Sequence, residues 1–197
     1  FIGGMGIIVF SIAMLPLLGM GGVQLFKAEV AGPAADKLTP RVKQTAKYLW
    51  SIYVGFIAIL TLLLWAEGMT FFDSICHAFG TMATGGFSTK NASIGAYQSP
   101  IIEFTIILFM FLAATNFTLH YRYIFNRKFS YFKDSEFKFY VGVISIFTIS
   151  IGLNIAINQY GFGFDAFRHG LFTTVSLISS TGFGTEDFET WPHLSQT

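Results

Sequence analysis

The chain has 197 residues, of which 53% are hydrophobic, 18% aromatic and 12% charged, with a formal net charge of +1 and a mean hydropathy of +0.58. The 12 basic and 11 acidic side chains are too few to cover the water-exposed surface of a soluble domain of this size, so the composition excludes one and points to an all-α membrane protein. So weak a basic balance offers no nucleic-acid partner, and a lone Cys76 excludes an intrachain disulfide framework or a Cys-based zinc site.

The chain begins at Phe1 inside an apolar run, with no initiator Met, charged leader or cleavage signal. It therefore reads as an internal piece of a longer protein rather than as one starting with a signal peptide. Residues 2–26 are apolar but interrupted by Pro16 and six glycines, which predicts a closely packed or broken helix. A loop over 27–47 follows, carrying Lys27, Lys37, Arg41, Lys43 and Lys47. Residues 48–66 are uncharged, with Trp50 and Trp65 near the two ends, as expected of a membrane-spanning helix. Residues 71–83 are apolar but too short to cross a bilayer, and they run into Gly85-Gly86. A second span is expected over 101–119, then a loop over 120–138 with Arg122, Arg127, Lys128, Lys133 and Lys138, then a third span over 139–157. A second short apolar stretch, 164–179, again ends at glycine, in Gly182. Short apolar helices running into Gly-rich backbone at membrane depth are tolerated only where protein buries them or where they line a watery cavity, so both short stretches are expected to be re-entrant.

Ten of the twelve basic residues fall in the loops 27–47 and 120–138. If the re-entrant stretches enter and leave on one side, both loops lie on the other, which the positive-inside rule makes cytoplasmic. Counted that way the inner side carries +6 and the outer side −5. An acidic outer surface would concentrate cations at a mouth, although for Glu186, Asp187 and Glu189 taken singly plain solvated loop charge is an equal explanation. Glu67 and Glu103 stand at helix ends, where solvated anchoring is the expected role.

The layout repeats. Phe72-Asp73-Ser74-Ile75-Cys76-His77 recurs 92 residues later as Phe164-Asp165-Ala166-Phe167-Arg168-His169. Thr84-Gly85-Gly86-Phe87-Ser88-Thr89 recurs 96 residues later as Ser180-Thr181-Gly182-Phe183-Gly184-Thr185. The four-residue difference is about one helical turn, so the second short helix can be longer while keeping one face inward. Asp73 and Asp165 are expected to cap the short helices, with direct attraction of an ion as the lesser alternative. His77 and His169 are expected to be hydrogen-bonded packing groups rather than metal ligands, since no second His or Cys stands at ligand spacing.

Taken singly, Thr-Gly-Gly-Phe-Ser is an ordinary turn after a helix C-cap. Its recurrence at the same place in the same topology favours a second reading, a cation site. A desolvated cation needs its water oxygens replaced, and backbone carbonyls supply fixed partial charges without burying a carboxylate. Gly86 and Gly182 would permit the dihedrals that turn successive carbonyls to one side, and Phe87 and Phe183 would pack the loops from behind. The expected ion-binding residues are Thr84, Gly85, Gly86 and Phe87 with Ser180, Thr181, Gly182 and Phe183.

These residues resemble the Trk/Ktr/HKT superfamily of potassium transporters, most closely a bacterial Trk-type subunit. The likeness runs through Gly3-Gly4-Met5-Gly6-Ile7, through Ala83 to Thr89 with Asn91-Ala92-Ser93-Ile94-Gly95 after it, and through Ser180 to Phe183 with Trp191-Pro192 after it. It implies a K⁺-channel-like fold of four units, each helix, re-entrant pore helix, filter loop and helix, around one pore. On that basis residues 1–47 hold the outgoing helix of repeat one with its cytoplasmic loop, 48–138 hold repeat two, and 139–197 hold repeat three through its filter. The resemblance further implies K⁺ as the transported ion with no organic cofactor, a multi-pass protein of the bacterial inner membrane, a homodimer, and cytoplasmic nucleotide-binding regulatory subunits near the basic loops. Anionic lipid is an equally good partner for those loops.

The expected function is therefore K⁺ uptake through a carbonyl-lined filter, not enzymatic. A two-helix-type cation channel pore is the near alternative. An intramembrane enzyme is disfavoured because no Asp, Glu, Lys or Arg falls in mid-span, and a purely structural membrane protein gives no reason for the repeated Gly turns.

Overall fold

The computed structural model describes residues 42–127, 129–157 and 163–186, and every regular element among them is helical. The expected helix over 2–26 and the Trp191-Pro192 turn lie outside the described residues. Helix α1 spans Val42–Ala66, α2 Phe71–Met82, α3 Pro100–Ala114, α4 Phe117–Asn126, α5 Ser135–Ile155 and α6 Phe164–Ile178, with short 3₁₀ turns at Ser93–Tyr97 and Tyr131–Lys133.

Tyr48–Ala66 and Ser135–Ile155 are long and apolar enough to cross a membrane. Helix α5 starts four residues before the expected 139 because the Asp134 side chain caps it, accepting the Phe137 N–H at 3.0 Å. Helix α1 ends at Ala66, and two residues on, Gly68, with φ +105°, allows Met69 N–H to reach back to the Leu64 carbonyl at 3.1 Å. Thr70 then caps α2 by accepting the Asp73 N–H, so the chain reverses within four residues and lays α2 against α1.

The second expected span differs. Residues 101–119 are not one straight helix: α3 and α4 meet at a bend of 97°. Thr115 is extended, with ψ 143°, and its hydroxyl donates to the Phe111 carbonyl at 2.8 Å. Asn116 caps the new helix by accepting the Thr118 N–H at 3.0 Å. Hydropathy averages over such a break, whereas two polar side chains that satisfy the freed backbone groups create it. His120 stabilises the corner from below, with one ring nitrogen 3.0 Å from the Leu112 carbonyl and the other 2.8 Å from the Tyr131 hydroxyl.

One apolar cluster joins these elements. Tyr53, Leu60 and Leu64 of α1, Ala78 and Met82 of α2, Ile106 and Met110 of α3, Phe117 of α4 and Phe172 and Val175 of α6 are buried together. Helices α5 and α6 approach through glycines. A Cβ on Gly170 would lie 3.1 Å from the Gly152 nitrogen and 3.2 Å from its Cα, so the backbones touch where larger residues would hold them apart.

Candidate functional site

Helices α2 and α6 each run into the Gly-containing turn that the repeat pairs, and the two turns have the same hydrogen bonds 96 residues apart. Ala83 N–H donates to the Phe79 carbonyl at 3.0 Å, as Ser179 does to Val175 at 2.9 Å. Thr84 donates to Thr81 as Ser180 does to Leu177, at 3.1 and 3.0 Å. Gly85 and Gly86 both donate to the Gly80 carbonyl, at 2.8 and 3.4 Å, as Thr181 and Gly182 do to Ser176, at 2.9 and 3.2 Å. Left-handed backbone also falls at matching positions: Thr84 (φ 50°) with Ser180 (φ 59°), and Gly86 (φ 63°) with Gly182 (φ 84°). Glycine was expected to be special at the third position. That the first position of each turn is also left-handed, with Thr and Ser there, is not legible in residue type, because both residues rarely adopt it.

The structure brings the two turns into contact. A Cβ on Gly86 would overlap the Thr181 carbonyl oxygen, so at this position glycine is demanded by space as well as by dihedral. Gly182 has open space around its Cα. Gly85 lies at ordinary van der Waals distance from its surroundings. Phe183 is buried (4% exposed) against the His77 ring, with centroids 5.9 Å apart. Phe87 differs from Phe183 in exposure: it is 84% exposed, and its ring lies only against its own turn, 3.6 Å from where a Cβ on Gly85 would sit.

The two turns differ in one position beneath them. Ser176 donates its hydroxyl to the Phe183 carbonyl at 2.7 Å. Gly80 stands in the same place in the first copy, and a Cβ there would be 3.1 Å from the Phe87 carbonyl oxygen. A hydroxyl supports one turn, and direct backbone approach supports the other.

Polar side chains hold the tails of the turns. Asp73 is not the cap of α2, since Thr70 takes that role. Its carboxylate instead accepts the Thr89 hydroxyl at 2.5 Å and pairs with Lys90 at 3.3 Å. The Thr89 hydroxyl foremost, with help from Thr70 and Lys90, holds this carboxyl down at about 2. Asp165 is likewise no cap: Gly163 precedes α6 without a side-chain bond, and Asp165 pairs at 3.0 Å with Arg168 one turn along. Both His77 nitrogens are occupied. Nδ1–H donates to the Asp73 carbonyl at 2.7 Å, and Nε2 accepts from the Ser88 hydroxyl at 2.8 Å. His169 Nδ1 lies 3.3 Å from the Thr185 hydroxyl. The histidines thus act as packing and hydrogen-bonding groups, each joining its short helix to the tail of its own turn.

A second contact crosses between the copies. Ile94 and Gly95 N–H groups both donate to the Gly184 carbonyl, at 3.0 and 3.2 Å, and Gly184 N–H donates to the Ser93 hydroxyl at 3.3 Å. A Cβ on Gly95 would overlap the Thr185 carbonyl oxygen. The segment after the first turn therefore clasps the tail of the second.

Glu103 and Glu67 are not solvated anchors. Glu103 is buried and accepts Arg168 at 2.6 Å, and Glu67 accepts the Thr105 hydroxyl at 2.6 Å. Arg168 is the residue that reading the chain left without a role. The available signal was its place as one of only two basic residues outside the basic loops.

Long apolar helices with two short helices ending in paired glycine turns define a class, the all-helical membrane proteins. Residues 1–196 match the TrkH family, described as cation transport protein, and the chain belongs to that family. It is 42% identical over 196 residues to the Trk system potassium uptake protein TrkH of Vibrio parahaemolyticus, covering 96% of this chain and 40% of that protein. It is 41% identical over 195 residues to TrkH of Escherichia coli, with the same coverage, and 37% identical over 200 residues to TrkG of Escherichia coli, covering 98% and 40%. The crystal structure of the potassium transporter TrkH from Vibrio parahaemolyticus superposes with a TM-score of 0.77 at 36% identity, over 95% of this chain and 38% of that one. The chain thus spans about two-fifths of the length of these relatives.

Proposed function

We propose that this chain forms part of a K⁺ uptake pore in which Thr84 to Phe87 and Ser180 to Phe183 are two quarters of a selectivity filter. The observation that carries the reading is the coincidence of hydrogen bonds and left-handed residues in two turns that meet at Gly86 and Thr181. Helices α2 and α6 act as pore helices. Their C-terminal ends carry partial negative charge toward the turns and favour a cation there. Carbonyls of the turns replace hydration water, so the ion is bound without a buried formal charge that would hold it too tightly to leave. K⁺ passes as cargo, and the chemistry asks for no organic cofactor.

In this reading residues 48–138 are one repeat, with parts of its neighbours at 1–47 and 139–197. The re-entrant ends face outward and the basic loops face the cytoplasm of a bacterial inner membrane. Family likeness supports a homodimer with cytoplasmic nucleotide-binding regulatory subunits. Exposed Tyr123, Phe125, Phe129 and Phe132 beside Arg122, Arg127 and Lys133 suit the anionic headgroup layer of the cytoplasmic leaflet.

The test is Gly86→Ser in the intact protein, reconstituted in liposomes, with K⁺ and Na⁺ flux measured separately. Loss of K⁺ preference is expected, and an unchanged preference would overturn the filter assignment.

A further inference from the structure

Arg168 sits on α6, one turn inside the helix and only 11% exposed, and donates to Glu103 of α3, which is 3% exposed, at 2.6 Å. The same guanidinium reaches the Nε2 of His169 at 3.2 Å. That Nε2 also stands 3.4 Å from a Glu186 carboxylate oxygen, and the Nδ1 of the same ring lies 3.3 Å from the Thr185 hydroxyl. Thr185 directly follows Gly184, the residue clasped by Ser93, Ile94 and Gly95. Glu103, Arg168, His169 and Thr185 thus form a continuous line of polar contacts from a helix of one repeat to the tail of the next repeat's turn.

Among the described residues the first copy shows no such line. Cys76 occupies the place of Arg168 in the repeated motif, and the tail of the first turn is held within its own repeat by Asp73, Thr89 and Lys90. The two turns are alike in backbone and unlike in what holds them. A buried ion pair is a poor device for bulk stability, since apolar residues of similar volume often serve as well. Its fixed fork geometry is a good device for placement.

We propose that Arg168 is a positioning residue for the second turn: braced by Glu103, it orients His169 against Thr185 and so sets the cation preference contributed by residues 180–183. This rests on the reading of the turns as a filter. It adds that α3, through Glu103, is mechanically joined to the filter of the following repeat.

The experiment measures the K⁺ to Na⁺ flux ratio of the intact protein in liposomes for wild type, Arg168→Gln, Glu103→Gln, the double variant, Thr185→Ala and Gly86→Ser. Networks of this kind change coupling by roughly 3- to 30-fold, and Arg168→Gln and Glu103→Gln are each expected to lower the ratio by about that factor. The double variant is expected to be no worse than the more affected single, because both remove one brace. Thr185→Ala, which removes only the terminal hydroxyl and leaves the ion pair whole, is expected to lower the ratio in the same direction and keeps the test decisive if the charge variants fail to fold. An unchanged ratio in folded Arg168→Gln, or in Thr185→Ala where Arg168→Gln does not fold, would overturn the proposal. If Gly86→Ser lowers the ratio and these variants do not, the brace fails and the filter stands. If Gly86→Ser also leaves the ratio unchanged, the filter assignment itself has failed and the brace with it.

Discussion

Gly86 and Thr181 meet backbone to backbone: no Cβ fits at Gly86 without overlapping the Thr181 carbonyl oxygen, and Gly86 is also left-handed, with φ 63°. Its neighbour Gly85 has neither constraint. A left-handed conformation costs a residue with a Cβ about 1–2 kcal/mol, and the overlap adds to this by forcing the two turns apart. Gly86→Ala is therefore expected to lower K⁺ preference in the intact protein, while Gly85→Ala keeps it within roughly twofold. Equal effects of the two alanines in a flux assay would contradict the geometry.

The Ser176 hydroxyl supports the Phe183 carbonyl from beneath. Ser176→Ala leaves that buried carbonyl without this donor, an expected loss of about 1–3 kcal/mol. Thermal unfolding of the intact protein in detergent measures it. A Tm equal to that of wild type would show that the bond is not formed.

Asp73 lies at the start of a short helix, outside the spans, and its carboxyl is held down to about 2. A carboxyl with a lowered folded-state value contributes stability that is complete above the unfolded-state value near 4, and that is lost as pH falls toward 2. The latch to Thr89 and Lys90 is thus expected to stay closed from neutral pH down to about 4. In the intact protein the outer-side pH dependence of K⁺ flux over that range should be the same in wild type and Asp73→Asn. A titration step between pH 5 and 6 that disappears in Asp73→Asn would rule this out.

Gly170 lets α6 touch α5 at Gly152. Extra volume there pushes two packed backbones apart, at a cost of about 1–3 kcal/mol. Gly170→Val is expected to lower the Tm, whereas Gly142→Val on α5, where a Cβ meets nothing within 4 Å, is expected to leave it nearly unchanged. Similar losses for both would mean that α5 and α6 do not pack this way.

Composition and hydropathy were enough to place the chain in lipid and to locate the uncharged span from Tyr48 to Ala66, because a bilayer imposes one length on every crossing helix. The repeat of the two glycine turns was also legible, since the demand for φ > 0 without a Cβ leaves few residue types. Tertiary structure decided the rest. It bent residues 101–119 through 97° at Thr115 and Asn116, where capping by polar side chains outweighs an apolar average. It moved Asp73 from helix cap to latch, because Thr70 was nearer the free N–H groups and Thr89 nearer the carboxylate. It also buried Glu103 opposite Arg168, 65 residues along the chain. Sequence sets what each short segment prefers by itself. Which charge neutralises which depends on helices meeting across the fold, and no local pattern records that.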